Sequence, residues 1–438
     1  MIGLAASLLL IAISITSWYF TAGELNEKDK QPPVDALISE STGPLIAILP
    51  LSSVDSSATE SRLAAGLVES LITSLAKLSG MSVMAHASVI ELEKQSITVQ
   101  DLRGSFGVTH LMRGNLQIQD ELVRVNVQLV DTGTLQTTWA GRLEGQIQNT
   151  WDLQDQLAIQ VAEAIAVEIQ PDESTKFLQK HSDTAEALAY YRQALLLLIP
   201  PNDMTRILTA RNFLKRANDL DPDFAGSYAG ESFSHTITVL FLNADNPGYE
   251  LEVAIKLARK AIQMDPDFGM GYASLAFAFA LDGQIEAGLE NARLAVLLSP
   301  GDAFVQFIHG MNLVLSRRTT EAFEPLMKAI RLDPAESRTP YLNVLGIAHF
   351  TNKDYSDTID LLNKNRQRGG PRGPHMDIFS AAALANLGRE TEARHQVAEL
   401  NLTYPNFPYE AWLEKWIGPG EHLDTSIEKL RFLGLTQP

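Results

Sequence analysis

Apolar side chains recur along this 438-residue chain in several distinct rhythms, and each rhythm predicts a different kind of element. Residues 1–23 carry no charged side chain and include the run Leu8-Leu9-Leu10-Ile11-Ala12-Ile13, with Trp18, Tyr19 and Phe20 at the far end. About 20 helical residues cross a hydrocarbon core and amphipathic rings favour its interface, so the segment predicts an N-terminal transmembrane helix. The competing reading is a signal peptide cut after Gly23, against which no Lys or Arg precedes the apolar run. Residues 24–43 mix charge, Pro32-Pro33, Ser and Thr without periodicity and read as a linker.

The rhythm then shortens. Leu45-Ile46-Ala47-Ile48-Leu49-Pro50 is a wholly apolar run closed by proline, the pattern of a strand buried on both faces. Leu63, Leu67, Leu71, Leu75 and Leu78 return at helical spacing. A strand near Ser82–Ala85, a helix over Val99–Phe106 and a strand over Thr109–Ile118 follow. Gln119-Asp120 turns the chain into Val123–Val130, where strict alternation means one buried face and one wet face. Asp131-Thr132-Gly133-Thr134 turns it again into Leu135–Leu143, and a helix over 149–169 closes the unit with Trp151, Leu153, Leu157, Ile159, Val161, Ile165 and Val167 as apolar positions. Residues 44–171 therefore predict a small α/β domain with a mixed sheet.

From residue 185 the rhythm becomes a repeat. Ala217–Phe224 reads ANDLDPDF, Ala261–Phe268 AIQMDPDF, Ala295–Asp302 AVLLSPGD and Ala329–Glu336 AIRLDPAE. Their prolines, Pro222, Pro266, Pro300 and Pro334, are spaced by 44, 34 and 34 residues, and Pro371 and Pro405 continue at 37 and 34. A period of 34 is that of the tetratricopeptide repeat, a helical hairpin that buries its apolar face only against the next hairpin. Residues 185–408 thus predict an all-α solenoid, with 409–438 as C-terminal capping helices. In the central unit Tyr272, Leu275, Ala276 and Phe279 fall on the first helix, Gly283 at the turn, and Gly288, Ala292 and Ala295 on the second. Ala276 and Gly288 permit close helix contact, and Gly310, Leu313, Ala322 and Ala329 repeat the arrangement. The ten extra residues before Pro266, around Asn243–Gly248, predict a longer turn. The Asp-Pro-Asp pairs at 221–223 and 265–267 read as punctuation, since Asp caps helices and Pro starts them without losing a hydrogen bond. The string RQRGGPRGP, 366–374, reads as a solvated loop between repeats, with capture of an anion as the alternative.

The string from Ile46-Ala47-Ile48-Leu49-Pro50, through Gly66-Leu67-Val68-Glu69-Ser70-Leu71, to Arg113-Gly114-Asn115-Leu116 and Asn126-Val127-Gln128-Leu129-Val130-Asp131-Thr132 resembles the TolB/FlgO-like domain. That domain accompanies tetratricopeptide arrays in bacterial membrane-bound class III adenylate cyclases and in CadC-like transmembrane regulators. Family members often carry a cyclase or winged-helix domain before the transmembrane helix. The expectation here is that this output domain is lacking, so the resemblance does not bring enzymatic activity with it. The tail Ile427–Leu435 also resembles the carboxyl end of such arrays.

Charge narrows the partners. Fifty-three acidic against 35 basic residues give a formal net charge of −18, which repels phosphate backbones and disfavours nucleic acid. Absence of cysteine excludes disulfides, thiolate nucleophiles and cysteine metal sites. The nine histidines form no close ligand pair, Gly104-Ser105-Phe106-Gly107 lacks the spacing of a nucleophile elbow, and no phosphate-binding loop occurs. No catalytic, cofactor or metal site is expected.

The repeat frame instead points to a groove. First helices line the inner side, placing Met270, Ala273, Phe277, Ala280 and Leu281 there in one unit, Phe304, Phe307, Met311, Val314 and Leu315 in the next, and Ile347 and Phe350 beyond. An apolar surface of that kind takes an amphipathic or extended peptide, or is covered by the chain itself; ordinary packing between neighbouring helices is the alternative. The expected protein is a non-enzymatic scaffold or sensory module in envelope signalling. It is anchored through residues 1–23 in a bacterial inner membrane, with its bulk in the periplasm and with a protein or peptide partner. Two alternatives are the regulatory portion of a cyclase or transmembrane transcription regulator, and a small-molecule receptor acting through the α/β domain.

Overall fold

The structure, a computed structural model, describes residues 43–53, 58–78, 81–147, 150–165, 184–198, 204–241, 244–334 and 340–436. The expected transmembrane helix, 1–23, lies outside the described residues, as does the linker up to residue 42. Among the described residues no helix is long and apolar enough to cross a membrane. The placement as a single-pass inner-membrane protein with a periplasmic bulk is corrected on that finding. The most apolar repeat helix, Gly269–Leu281, has 13 residues, about 20 Å of rise against a hydrocarbon core of about 30 Å.

The sheet domain begins with β1 (Leu45–Ile48), buried at all four residues. Parallel to it lie β3 (Ser82–Val83) and β4 (His110–Gln119), and β2 (Ser52–Ser53) pairs in parallel with the far half of β4. β5 (Leu122–Asp131) and β6 (Thr137–Gln146) extend the sheet as an antiparallel meander in the order β3-β1-β4-β5-β6. Helices α1 (Ala58–Leu75) and α4 (Thr150–Ala164) cover one face, where Ile46, Ile48, Val125 and Val127 meet Leu71 and Leu157. Helices α2 (His86–Lys94) and α3 (Val99–Phe106) cover the β1 end of the other face. The short helix α2 adds to the elements expected from sequence. Its apolar positions are too few in nine residues to give a readable period.

The remainder is helical: α5 (Ala185–Leu198), α6 (Met204–Leu220), α7 (Ala225–Leu240), α8 (Pro247–Met264), α9 (Gly269–Leu281), α10 (Ile285–Leu298), α11 (Ala303–Leu315), α12 (Thr319–Leu332), α13 (Tyr341–Thr351), α14 (Tyr355–Gln367), α15 (Pro374–Asn386) and α16 (Glu390–Thr403). They stack as successive hairpins, each first helix also meeting the next pair. Two further helices, α17 (Tyr409–Ile417) and α18 (Glu421–Phe432), follow the repeats. The ten extra residues of the long unit are not all in a turn. The helices α7 and α8 run 16 and 18 residues against 13 and 14 for α9 and α10, and the turn takes the rest.

The two parts share a core. Leu45, Met84, Val89 and Leu102 of the sheet domain belong to the same buried cluster as the first helices of the solenoid. The seam runs along the loops that end each repeat. Ala85 N–H donates to Leu332 O at 2.7 Å, the buried Ser88 hydroxyl donates to Asp333 Oδ1 at 2.6 Å, and Gly301 N–H donates to Ala76 O at 2.8 Å. The near-complete burial of Lys77 beside Asp265, where the ammonium opposes the effect of burial on the carboxyl, continues the same edge. A period of 34 puts these loops in register on one side of the stack, so a single domain can touch several at once.

Candidate functional site on the inner face of the solenoid

The residues expected to line the groove all lie on the first helices of their hairpins, but most are covered. Phe277, Phe307, Met311, Ile347 and Phe350 are buried, and Met270, Leu281 and Phe304 are half-buried. Part of this is packing between neighbours. Phe233 of α7 meets Phe277 at 5.9 Å and Phe304 at 5.0 Å between ring centroids, Phe304 meets Phe307 at 6.0 Å, and Phe307 meets Tyr341 at 5.1 Å. These rings form a ladder across four successive first helices, with edge and tilted geometries that suit the aromatic quadrupole.

The rest of the cover comes from α17, which lies against α11, α13 and α15. Its sequence YEAWLEKWI carries Tyr409, Trp412, Leu413 and Trp416 at helical spacing, and all four are at most 2% exposed. The Trp412 ring packs at 4.5 Å from His375 and 6.0 Å from Phe241, and its Nε1–H donates to His375 O at 2.8 Å. The Tyr409 hydroxyl donates to Leu400 O and Tyr404 O, both at 3.0 Å, and burial pushes its pKa up to about 12. Behind α17, the His422 ring of α18 stacks on Phe350 at 5.2 Å.

Two cations fix the end of α17. Its last carbonyls carry the negative end of the helix dipole. Arg317, at the turn between α11 and α12, donates to Lys415 O at 3.2 Å and also to Trp416 O. Gly418 follows at φ +80, a backbone conformation that favours glycine, and a Cβ there would sit 2.5 Å from Arg317 Nε and displace the guanidinium. Lys415 reaches the opposite way, donating to Val239 O and Leu240 O at the end of α7, both at 3.3 Å. Burial lowers its pKa to about 8. His375, beneath Trp412, is brought down to about 4 by burial and then by the Lys415 charge.

A second polar cluster pins the long unit. Arg211 of α6 donates to Glu250 Oε2 at 2.8 Å and to the Ser234 and Thr238 hydroxyls, while His235 Nδ1 lies 2.6 Å from the same Glu250 oxygen. Burial lowers the His235 pKa and raises that of Glu231 nearby. The basic string 366–374, expected as a loop, instead runs from the last turn of α14 to the first residue of α15, and it is likewise tied to its neighbours. Arg366 meets Asp377 at 3.0 Å, Arg368 donates to Pro334 O, and Arg372 donates to Arg366 O. Among the described residues no group of three or more His, Asp or Glu side chains is placed to hold a metal ion.

Sequence reasoning missed Arg317, His375, Trp412, Lys415 and Trp416 as groove residues. The signal for the tryptophans was available: a helix with two aromatic residues four apart, standing outside the 34-residue rhythm. Arg317 carried none, because its partners lie about 100 residues away.

No family model matches the chain. Over 242 residues, 54% of its length, it is 26% identical to "Putative adenylate cyclase 3" of Rhizobium meliloti (strain 1021). The match spans 40% of that relative. Among solved structures it is similar to PilF of Pseudomonas aeruginosa, at 16% identity over 52% of this chain and 96% of that one, with a TM-score of 0.37. It is also similar to TTC0263, a thermophilic TPR protein of Thermus thermophilus, at 16% identity over 45% and 98%, with a TM-score of 0.36. The tetratricopeptide-like character of the solenoid rests on its own geometry: helices of 13 and 14 residues paired at a 34-residue period.

Proposed function

We propose that this chain is a non-catalytic protein-interaction module whose solenoid groove recognises a short amphipathic helix. The observation that supports this reading is α17 itself, a nine-residue helix seated on three first helices by four buried apolar side chains, with its terminal carbonyls held by Arg317. Recognition of a helix in a groove uses the same anchors. In the state described, α17 is the resident ligand, and a protein partner either takes its place on α11, α13 and α15 or extends the surface at the half-buried Met270, Leu281 and Phe304. Motif order supports reading the sheet domain as similar to the TolB/FlgO-like domain.

The test uses the full chain, because the shared core makes removal of either part a folding experiment. Photo-crosslinking and affinity recovery with wild type are compared with Phe304→Glu and Met270→Glu, both confirmed folded by circular dichroism. Loss of the recovered partner in the variants is expected; equal recovery contradicts the groove reading.

A second reading, supported by the match to a putative adenylate cyclase, is that these residues serve as the regulatory portion of a cyclase or transcription regulator. Co-purification of a cyclase or winged-helix domain with this chain favours it. Turnover of a nucleoside triphosphate by the purified chain, with contaminants excluded, overturns both readings.

A further inference from the structure

The face of β4, β5 and β6 turned away from α1 and α4 carries chemistry that the groove does not use. Register brings Arg113 opposite Gln128, Asn115 opposite Asn126, Asn126 opposite Arg142, and Arg124 opposite Glu144, so polar side chains from three strands share one side of the sheet. Of these, Arg113, Asn115, Asn126, Gln128 and Arg142 border an open hollow of about 520 Å³, with Arg124 and Glu144 beside it on the same face. Gly114 lies in its floor, where a Cβ would collide with the Asn126 carbonyl, so glycine keeps the two strands close beneath the hollow.

The charge on this face runs against that of the chain. At its alternating positions the charged side chains are Arg113, Arg124, Arg142 and Glu144. Glu144 Oε1 accepts from Arg124 Nε at 2.8 Å and from Arg142 Nε and a terminal nitrogen at 2.9 and 2.5 Å, so one carboxylate is shared by two guanidinium groups. Arg113 donates to Gln128 Oε1 at 3.3 Å, a neutral partner that leaves its charge uncompensated. Asn126 donates to Asn115 Oδ1 at 3.0 Å across the gap between the arginines. Three cations against one anion, in a molecule of net charge −18, make a local positive field with oriented donors. Each guanidinium offers five donors in a planar fork that matches an oxyanion.

We propose that this hollow binds a small molecule bearing two oxyanion groups, one held by Arg113 and the other by Arg142, with the Asn115 and Asn126 amides between them. A dicarboxylate and a diphosphate share that chemistry, and the probes separate them. Isothermal titration of the full chain with succinate, and in parallel with inorganic pyrophosphate, is expected to show one saturable site for the probe of matching type. Arg113→Gln with Arg142→Gln weakens that site at least about tenfold. The exposed Arg389→Gln, remote from the sheet and paired with Glu392, leaves it unchanged. Glu144→Gln removes the competing carboxylate and tightens binding by about threefold. Unchanged melting curves check that the fold of each variant is intact. No saturable binding of either probe overturns the proposal, as does an equal loss with Arg389→Gln, which would mean unspecific attraction.

Discussion

At the scale of single residues, the small side chains were the most legible. Spacing assigned Ala276 and Gly288 to a close helix crossing, and a Cβ on Gly288 would lie 3.1 Å from Ala276 O. Gly310 is tighter still, since a Cβ would meet Leu326 Cγ at 2.5 Å. Gly310→Val is therefore expected to cost about 1–3 kcal/mol by overpacking, read as a lower urea midpoint. The histidines were not legible, because their environments come from distant elements. His375 is held neutral in the fold, near pKa 4, against about 6.5 when unfolded. Above pH 6.5 it is neutral in both states and carries no penalty. As pH falls from 6.5 toward 4 the unfolded chain binds the proton first, and the fold loses up to roughly 3 kcal/mol. His375→Leu should flatten that part of the profile, so that its loss of stability between pH 7.5 and 5 in urea titrations is smaller than that of wild type. Lys415 acts in the other window: its buried charge is a cost below pH 8 that is relieved as pH rises toward 10.5.

At the scale of elements, helices stand among the described residues of the repeat array wherever the apolar period was long, and the long unit shows where the period misleads. An insertion of ten residues was assigned to a turn, yet α7 and α8 absorbed most of it by lengthening, with Arg211, His235 and Glu250 tying their ends. The position of α17 was beyond reach for a different reason. Its amphipathic pattern announces burial, but which surface buries it depends on how the six earlier hairpins curve. Trp412→Ala is expected to cost about 3–5 kcal/mol, as a large core side chain is lost and the His375 carbonyl loses its donor. Arg317→Gln should cost less, because the carbonyls it caps lie partly at the surface. The order of the two effects, Trp412→Ala above Arg317→Gln, is checked by thermal melts followed through tryptophan fluorescence.

At the scale of the whole molecule, the sequence divides where the structure joins. Hydrophobic rhythm separates a sheet domain from a repeat array, and the Asp-Pro-Asp strings read as helix caps. Instead Phe224 and Phe268 stand at the N-caps of α7 and α9 with no side-chain cap, and Asp221 and Asp265 accept from Asp223 N and Asp267 N inside the turns. Asp302 of the next loop does cap α11, accepting from Val305 N at 2.9 Å. The same loops also form the seam with the sheet domain, information carried by their common register and invisible until the partner is in place. One shared core predicts one unfolding transition. Gly301→Val, whose Cβ would press on the Ala76 backbone at 3.0 Å, should lower the midpoint for sheet and helix signals together. Two separated transitions would contradict this. A last consequence concerns biosynthesis. Because α17 follows in sequence every helix it rests on, the nascent solenoid emerges from the ribosome with its inner trough unlined. A message truncated before codon 409 should yield an insoluble product that chaperones retain, even though every tandem hairpin is present.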